Sequence, residues 1–486
     1  MNIDLLMRFL LECFLLLEWN NAISTTTNDG EGSPKIDSNV YKGGSDGCIT
    51  SADCAFNGEC VKDNEGRLAT KISFDPEAPG VCQCFDGWKG ATCEVLDVLP
   101  VDPQKVGLVL PNHDSSTWGG SVVYDEESDL YHMFASEILY DCGLYSGTTN
   151  SQVIRAVSKS PYGPYEKVQV IVPVFAHDAN IIRAPTGEFV LYVTALEGVE
   201  PMDCRNQTQS IEVSSIRNGR YLRSSPRAKS GETVDIVDDE DDVPPKDTYM
   251  LWAPNPEGPW SEPVMVLNST IYNSDYWKKY NKTAKCDSNL NGIILPSDNN
   301  DGKQSFLGLW RRCETDELLT IPHVMVASDW KNASTYQPIL SPLFVLAGSG
   351  AEDPSNIWTT KTSDMKPGQV AYHAIFHDEQ ATRCMLGACG GQGRHAVSLD
   401  GTAWKYASVN AYERHFSWKT SDDTNQINRS DTRARPHMVL APTKPGGDPW
   451  HQTPIALSTG LKATDESGYV YTLVQPLRSS EEYSFE

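Results

Sequence analysis

Beyond its first two dozen residues the 486-residue chain has no long apolar run. A membrane span needs ~20 such residues, so no span is expected in the body of the protein. Basic residues are scarce: 40 Lys and Arg stand against 65 Asp and Glu, a net charge of −25. Phosphates would be repelled, which argues against nucleic acid or an anionic membrane surface as partner. No long stretch carries helical periodicity. The H-E-x-x-H, G-x-S-x-G and four-ligand zinc patterns are missing, so those catalytic classes and a metal cofactor are not expected. The glycine-rich "MLGACGGQGRH" at Met385–His395 opens no helix and fails as a phosphate cradle.

The N-terminus, "MNIDLLMRFLLECFLLLEWNNAIS", holds a short apolar run followed by Ala22 and Ser24. This reads as a secretion signal over 1–24, imperfect because of Arg8, Glu12 and Glu18. A membrane anchor is the alternative, but the run is shorter than a span needs. Of 13 cysteines, Cys13 lies in the signal and an even number remains. N-x-S/T sequons occur at Asn206, Asn268, Asn281, Asn332 and Asn428. Signal, even cysteines and sequons together predict a glycoprotein that is secreted or at the cell surface. Residues 25–47 are polar and Gly/Ser-rich and read as a disordered leader.

Six cysteines, Cys48, Cys54, Cys60, Cys82, Cys84 and Cys93, follow the spacing C-x5-C-x5-C-x21-C-x-C-x8-C and end in "CQCFDGWKGATC". So small a unit cannot bury enough apolar surface and needs disulfides; spacing alone leaves their pairing open. The segment 48–95 resembles an EGF-like domain. The resemblance implies Cys48–Cys60, Cys54–Cys82 and Cys84–Cys93. Only Asp46 precedes the first cysteine as a hard ligand, so calcium binding is not expected. A spacer or a module for protein partners is the expectation.

From Val101 onward one pattern recurs five times: an apolar strand, a polar turn and a second apolar strand. Examples are "GGSVVYDEESDLYHMFAS", "DANIIRAPTGEFVLYVTA" and "EDPSNIWTTKTSDMKPGQVAYHAIF". Second hairpins such as "SKSPYGPYEKV" and "APNPEGPWSEPV" lie between them. Repeated four-stranded sheets cannot each bury both faces alone, so the reading is all-β: a five-bladed propeller over 101–486 behind the disulfide-rich module. An insert near 196–247 carries Cys204, Asn206 and the acidic run Asp238–Asp242, read as a solvated loop. "KVGLVL" at Lys105–Leu110 would complete the fifth blade. Strand alternation puts six cysteines on one face, which suggests Cys142–Cys204, Cys286–Cys313 and Cys384–Cys389 and marks that face as functional.

The repeats, with "EDPSNIW" and "PEGPW", resemble the five-bladed propellers of the arabinanase and β-xylosidase family of glycoside hydrolases. That resemblance implies three axial carboxyls at the starts of first strands, serving as base, modulator and acid of an inverting hydrolysis. The carry-over is partial. Glu352 takes the acid position, with Asp353 beside it. Gly119-Gly120 replace the expected Asp-Pro of the base, and Asp114 is its nearest substitute or else a turn residue. Asn289 and Asn291, with Asp287 nearby, stand at the modulating position, and Asp178 beside His177 adds a carboxyl in blade two. Arg435 is read as a clamp on Glu352 or Asp353, or as a ligand contact. His437 is read as a polar core residue or as part of a site for a structural ion or water in the channel. Trp118 is placed in a pocket-face loop where it could stack on a sugar. Trp277 and Trp418 are weaker candidates, and Trp310, Trp358 and Trp404 are assigned to packing between blades. The expected partner is a carbohydrate, bound and hydrolysed, or bound by a degenerate pocket without cleavage. Adhesion or signalling through protein contacts is the third reading.

Overall fold

The apolar runs form strands sandwiched between neighbours. Phe189–Ala195 is buried on both sides along almost its whole length, whereas Glu166–Val172, at a sheet edge, has no fully buried residue. Strands buried on both faces read as continuous apolar runs, and strands with one solvated face alternate. The computed structural model describes residues 40–41, 47–61, 80–102, 105–108, 115–140, 142–195, 201, 203–204, 246–269, 288–297, 302–313, 320–339, 351–378, 392–419, 425–428, 432–443, 447–462 and 470–479, all within the unit Asn39–Glu486. The fold is a five-bladed β-propeller with a disulfide-rich N-terminal segment.

Blade one is built from Ser116–Asp125, Leu130–Ile138, Ser151–Ser158 and Glu166–Val172. Blade two uses Ala176–Arg183, Phe189–Ala195, Asp247–Ala253 and Val264–Leu267. Blade three uses Leu290–Ile294, Phe306–Cys313, Thr320–Ala327 and Tyr336–Ile339. In blade four the first strand is split into Ala351–Glu352 and Trp358–Thr360, followed by Ala371–Asp378, Gln392–Ser398 and Trp404–Ala407. Blade five has Thr432–Leu440, Pro454–Lys462 and Val470–Pro476. Among the described residues no helix is long and apolar enough to cross a membrane.

Two expectations are corrected here. Val40 and Tyr41, read as leader, pair in parallel with Tyr406 and Ala407 at the edge of blade four. Of "KVGLVL", the described residues 105–108 form no full fourth strand of blade five, and Val109 and Leu110 lie outside the described residues. Instead Leu108 bridges Thr472 and Val98 bridges Leu477, so the ring is closed by isolated bridges on the third strand of that blade. Leu108 also ties blade five to blade one, because Thr117 Oγ1 donates to its carbonyl at 3.0 Å.

Each interface between neighbouring blades has its own apolar cluster, and the one between blades four and five is completed by the N-terminal segment. There Trp88, Cys54, Cys93 and Leu96 pack with Trp358, Ile375, Met438 and Leu457. The disulfides Cys48–Cys60, Cys54–Cys82 and Cys84–Cys93 are formed, as is Cys142–Cys204. Cys286, Cys384 and Cys389 and the side chain of Cys313 lie outside the described residues, as do the signal and most of the insert. Trp310, Trp358 and Trp404 pack between blades as read from the sequence, and Trp358 also packs on the N-terminal segment.

A polar chain crosses this junction. His395 Nε2 meets His373 Nδ1 at 3.0 Å, His373 Nε2 meets Thr360 Oγ1 at 2.7 Å, and Thr360 donates to the Phe56 carbonyl at 2.8 Å. Thr360 has one proton, already given to Phe56, so His373 must donate through Nε2. Burial holds His373 well below the ordinary imidazole range, and holds His395 and the axial His437 at about 3.

The unfolded chain takes up these protons near pH ~6.5. The stabilisation from neutral burial is therefore complete above about pH 6.5 and is lost as the pH falls from there toward 3, by about 1.4 kcal/mol per pH unit for each histidine. The Tm is expected to fall between pH 6.5 and 4, and to fall less steeply in His395→Gln. A Tm that stays flat over this range would contradict the assignment.

Candidate functional site

The site grows from a distortion repeated at the start of the first strands. In blade one the pairing jumps from Trp118–Ser136 to Ser121–Phe134, in blade two from His177–Thr194 to Asn180–Tyr192, and in blade five from Ala434–Gly460 to His437–Ser458. Blade four does the same: Glu352 pairs with His377, and the Ser355 amide then bonds the Ile375 carbonyl. Each jump sets two residues against one, a β-bulge, which re-aims side chains. The first bulged residue is left-handed in all four blades: Gly119 at φ 62°, Asp178 at 57°, Asp353 at 47° and Arg435 at 57°. Three of these are not glycine, so strain is held at the axis. Blade three keeps a continuous register.

Polar side chains of the first strands staple every blade to the next. Ser121 Oγ accepts from the Ile181 amide at 2.9 Å, joining blades one and two. Asn180 Nδ2 donates to the Leu290 carbonyl at 3.0 Å and to Asn289 Oδ1 at 2.9 Å. Asn291 Nδ2 donates to the Pro354 carbonyl, joining blades three and four. Asn356 exchanges two bonds with the backbone of Met438, at 2.8 and 3.0 Å. His437 Nε2 meets Ser121 Oγ at 3.1 Å and closes the circle. His437 is therefore a neutral polar core residue of this ring.

Inside the ring lies a charged cluster. Arg435 Nη1 pairs with Asp178 Oδ2 and, at 3.2 Å, with Asp353 Oδ1. Arg311 pairs with Glu352 Oε1 at 2.9 Å and with Asp353 Oδ1 at 3.3 Å. His377 Nδ1 lies 3.3 Å from Glu352 Oε2, and His177 Nε2 lies 3.2 Å from Asp178 Oδ1. The structure thus brings together Glu352, Asp353, Asp178, His177 and Arg435. Arg435 clamps Asp353 as read, but its second carboxylate is Asp178, and Glu352 goes to Arg311 instead. Sequence reading missed Arg311 and His377, which lie at the ends of second strands. The bulge position equivalent to Gly119 is Asp353, and Glu352 precedes it.

The axial cavity is lined by Trp118, Ser136, Asp178, Asn180, Asn289, Asn291, Arg435 and His437, among others. Its volume of about 20 Å³ holds a water-sized group. Asn291 Oδ1 and His437 Nδ1 are buried and make no hydrogen bond among the described residues. Trp118 is not in a loop; it lies in the first strand of blade one, 4% exposed, packed on Ile138, Cys142, Ala434 and Val470. The Cys142–Cys204 bridge thus backs one wall of the cavity, and Trp118 offers no open face for stacking. Glu352, Asp353 and His377 bring their ligand atoms within 4.8 Å of one another, but Arg311 and Arg435 already occupy these carboxylates, so the trio does not fit a cation. Asn332 is exposed and caps a short turn, and Asn268 is half-buried. Asp114, Asp287, Trp277, Asn206 and Asn281 lie outside the described residues, as do the side chains of Trp418 and Asn428.

No protein-family model matches the chain, and no curated protein does. Among solved structures it is similar to a family 117 glycoside hydrolase of Zobellia galactanivorans, at 11% identity and a TM-score of 0.43, over 81% of this chain and 90% of that one. It is also similar to an endo-arabinase of Bacteroides thetaiotaomicron, at 9% identity and a TM-score of 0.37, over 77% and 98% of the two chains. A protein of unknown function from Dyadobacter fermentans matches at 11% and 0.43, over 79% and 99%. Likenesses at this level carry no argument about activity here.

The wall behind the cavity can be probed at Gly460. A Cβ there would stand 2.6 Å from two ring atoms of Trp118 and 3.0 Å from the Gly119 amide nitrogen. Gly460→Ala is expected to displace the indole and to cost about 1–3 kcal/mol. The denaturant midpoint measures this, and an unchanged midpoint would show that the wall yields freely.

Proposed function

We propose that this chain is an extracellular, exported propeller that recognises a carbohydrate through a hydroxyl seated in its axial cavity, without hydrolysing it, with an EGF-like N-terminal module built into the fold. The observation that carries this reading is that all three axial carboxylates are engaged by guanidinium groups. Inverting hydrolysis needs one carboxyl that holds a proton and another free to take one from water, ~6.5–9.5 Å apart. Arginine has donors only and pairs with carboxylates as acceptors. One Arg435 nitrogen touches both Asp178 and Asp353, so these two oxygens lie within about 6 Å of each other. At the equivalent position of blade one, Gly119 has no side chain to supply a base.

Recognition has support of its own. Asn291 lines the cavity, and its buried Oδ1 is an acceptor with no hydrogen bond among the described residues, for which a sugar hydroxyl is a donor of matching size. One observation favours hydrolysis as the second reading: the Glu352 side chain is 14% exposed, more open than Asp178 or Asp353, and lies beside His377.

Purified protein offered arabinan, xylan, galactan and fructan oligosaccharides is expected to bind one class saturably and to release no reducing sugar. Asn291→Ala, which removes the open acceptor, is expected to weaken binding at least tenfold. Turnover abolished by Glu352→Gln would establish the hydrolase instead. Failure to bind any of the four would sink the carbohydrate reading.

A further inference from the structure

We infer that His177 is held as an imidazolium by Ser151 and acts as a positioning residue for Asp178, the carboxylate that lines the cavity. Ser151 opens the third strand of blade one and is fully buried. Its hydroxyl has one proton. That proton goes to the Gly147 carbonyl at 2.7 Å, an oxygen that can only accept. His177 Nδ1 lies 2.8 Å from the same Ser151 Oγ. Both contacts hold together only if Nδ1 carries a proton and donates it.

The other ring nitrogen faces an acceptor too. Nε2 lies 3.2 Å from Asp178 Oδ1, with the two side chains 5% and 1% exposed. A bare Nε2 there would set a lone pair against a carboxylate oxygen away from water. A proton on Nε2 turns the contact into an ion pair across 3.2 Å. Both nitrogens therefore carry a proton, and the ring is a cation.

The surroundings agree. Phe175 stacks on the imidazole at 6.3 Å and 17°. Asp178 is shared with Arg435, and Asp353 and Glu352 complete the cluster with Arg311. The axis then holds three cations, His177, Arg435 and Arg311, against three carboxylates. Asp178 is left-handed at the bulge, and its two oxygens face one cation each, His177 and Arg435, as ion pairs. The consequence for ligand binding rests on the carbohydrate reading; the protonation itself does not.

The test is nitrogen-15 NMR of the full chain labelled at histidine, with the His177 signals assigned by comparison with His177→Gln. At pH 7 both ring nitrogens of His177 are expected at the shift of a protonated imidazole nitrogen. In Ser151→Ala one of them is expected to become bare, and Ser151→Thr, which keeps the hydroxyl, is expected to restore it. A bare nitrogen in the wild-type protein overturns the inference even if neither variant folds. Where an oligosaccharide binds, its Kd is expected to rise at least threefold across the pH span in which the signals show His177 losing its proton. A flat Kd there overturns the positioning role. If no sugar binds, the carbohydrate reading fails alone and the nitrogen shifts still decide the protonation of His177.

Discussion

Five sheets closed around an axis must satisfy the polar backbone that they bring together there. This chain does so with a continuous ring of side-chain hydrogen bonds, from Ser121 to Ile181, Asn180 to Leu290, Asn291 to Pro354, Asn356 to Met438 and His437 back to Ser121. Buried donors and acceptors left unpaired would cost about 1–3 kcal/mol each, so the ring fixes how neighbouring blades meet. In blades one, two, four and five a bulge precedes the ring's member and aims the next side chains inward. The charged cluster is a consequence of that geometry. Once Asp178, Asp353 and Arg435 are turned to the axis, they can be buried only as partners.

The same logic governs the periphery. Among the described residues blade five has three strands, and the chain between the disulfide-rich segment and blade one bridges its edge at Val98 and Leu108. The N-terminal segment fills the space between blades four and five through Trp88 and its cystines. It is part of the core. A segment too small to bury its own apolar surface gains that burial from the propeller.

Much of this was legible in the sequence. Paired apolar runs with Gly, Pro and Asn turns gave the blades, and the cysteine spacing with its resemblance gave the N-terminal pairing that is found. Cys142–Cys204 followed from strand alternation. The charge partners were not legible. Arg311 and His377 lie at the ends of second strands, 41 and 25 positions from Glu352 in "WRRC" and "FHDE", and nothing local marks them as axial. The bulges were hidden too, because left-handed Asp178, Asp353 and Arg435 carry no glycine signal. Gly119 shows it, yet its Gly-Gly phrase read as the loss of an acid. Trp118 was misplaced for the opposite reason. A tryptophan beside two glycines looks like an exposed loop, whereas Gly460 makes room for the indole inside.

The central claim is that the axial carboxylates are held by coupled ion pairs, and a double-mutant cycle on Arg435→Met and Asp353→Asn tests it most directly. Urea unfolding of the wild type, both single variants and the double variant gives the coupling free energy. A coupling of about 1–3 kcal/mol is expected, with the double variant less destabilised than the sum of the singles. Additivity within about 0.5 kcal/mol would contradict it and return Asp353 to the pool of groups free for chemistry.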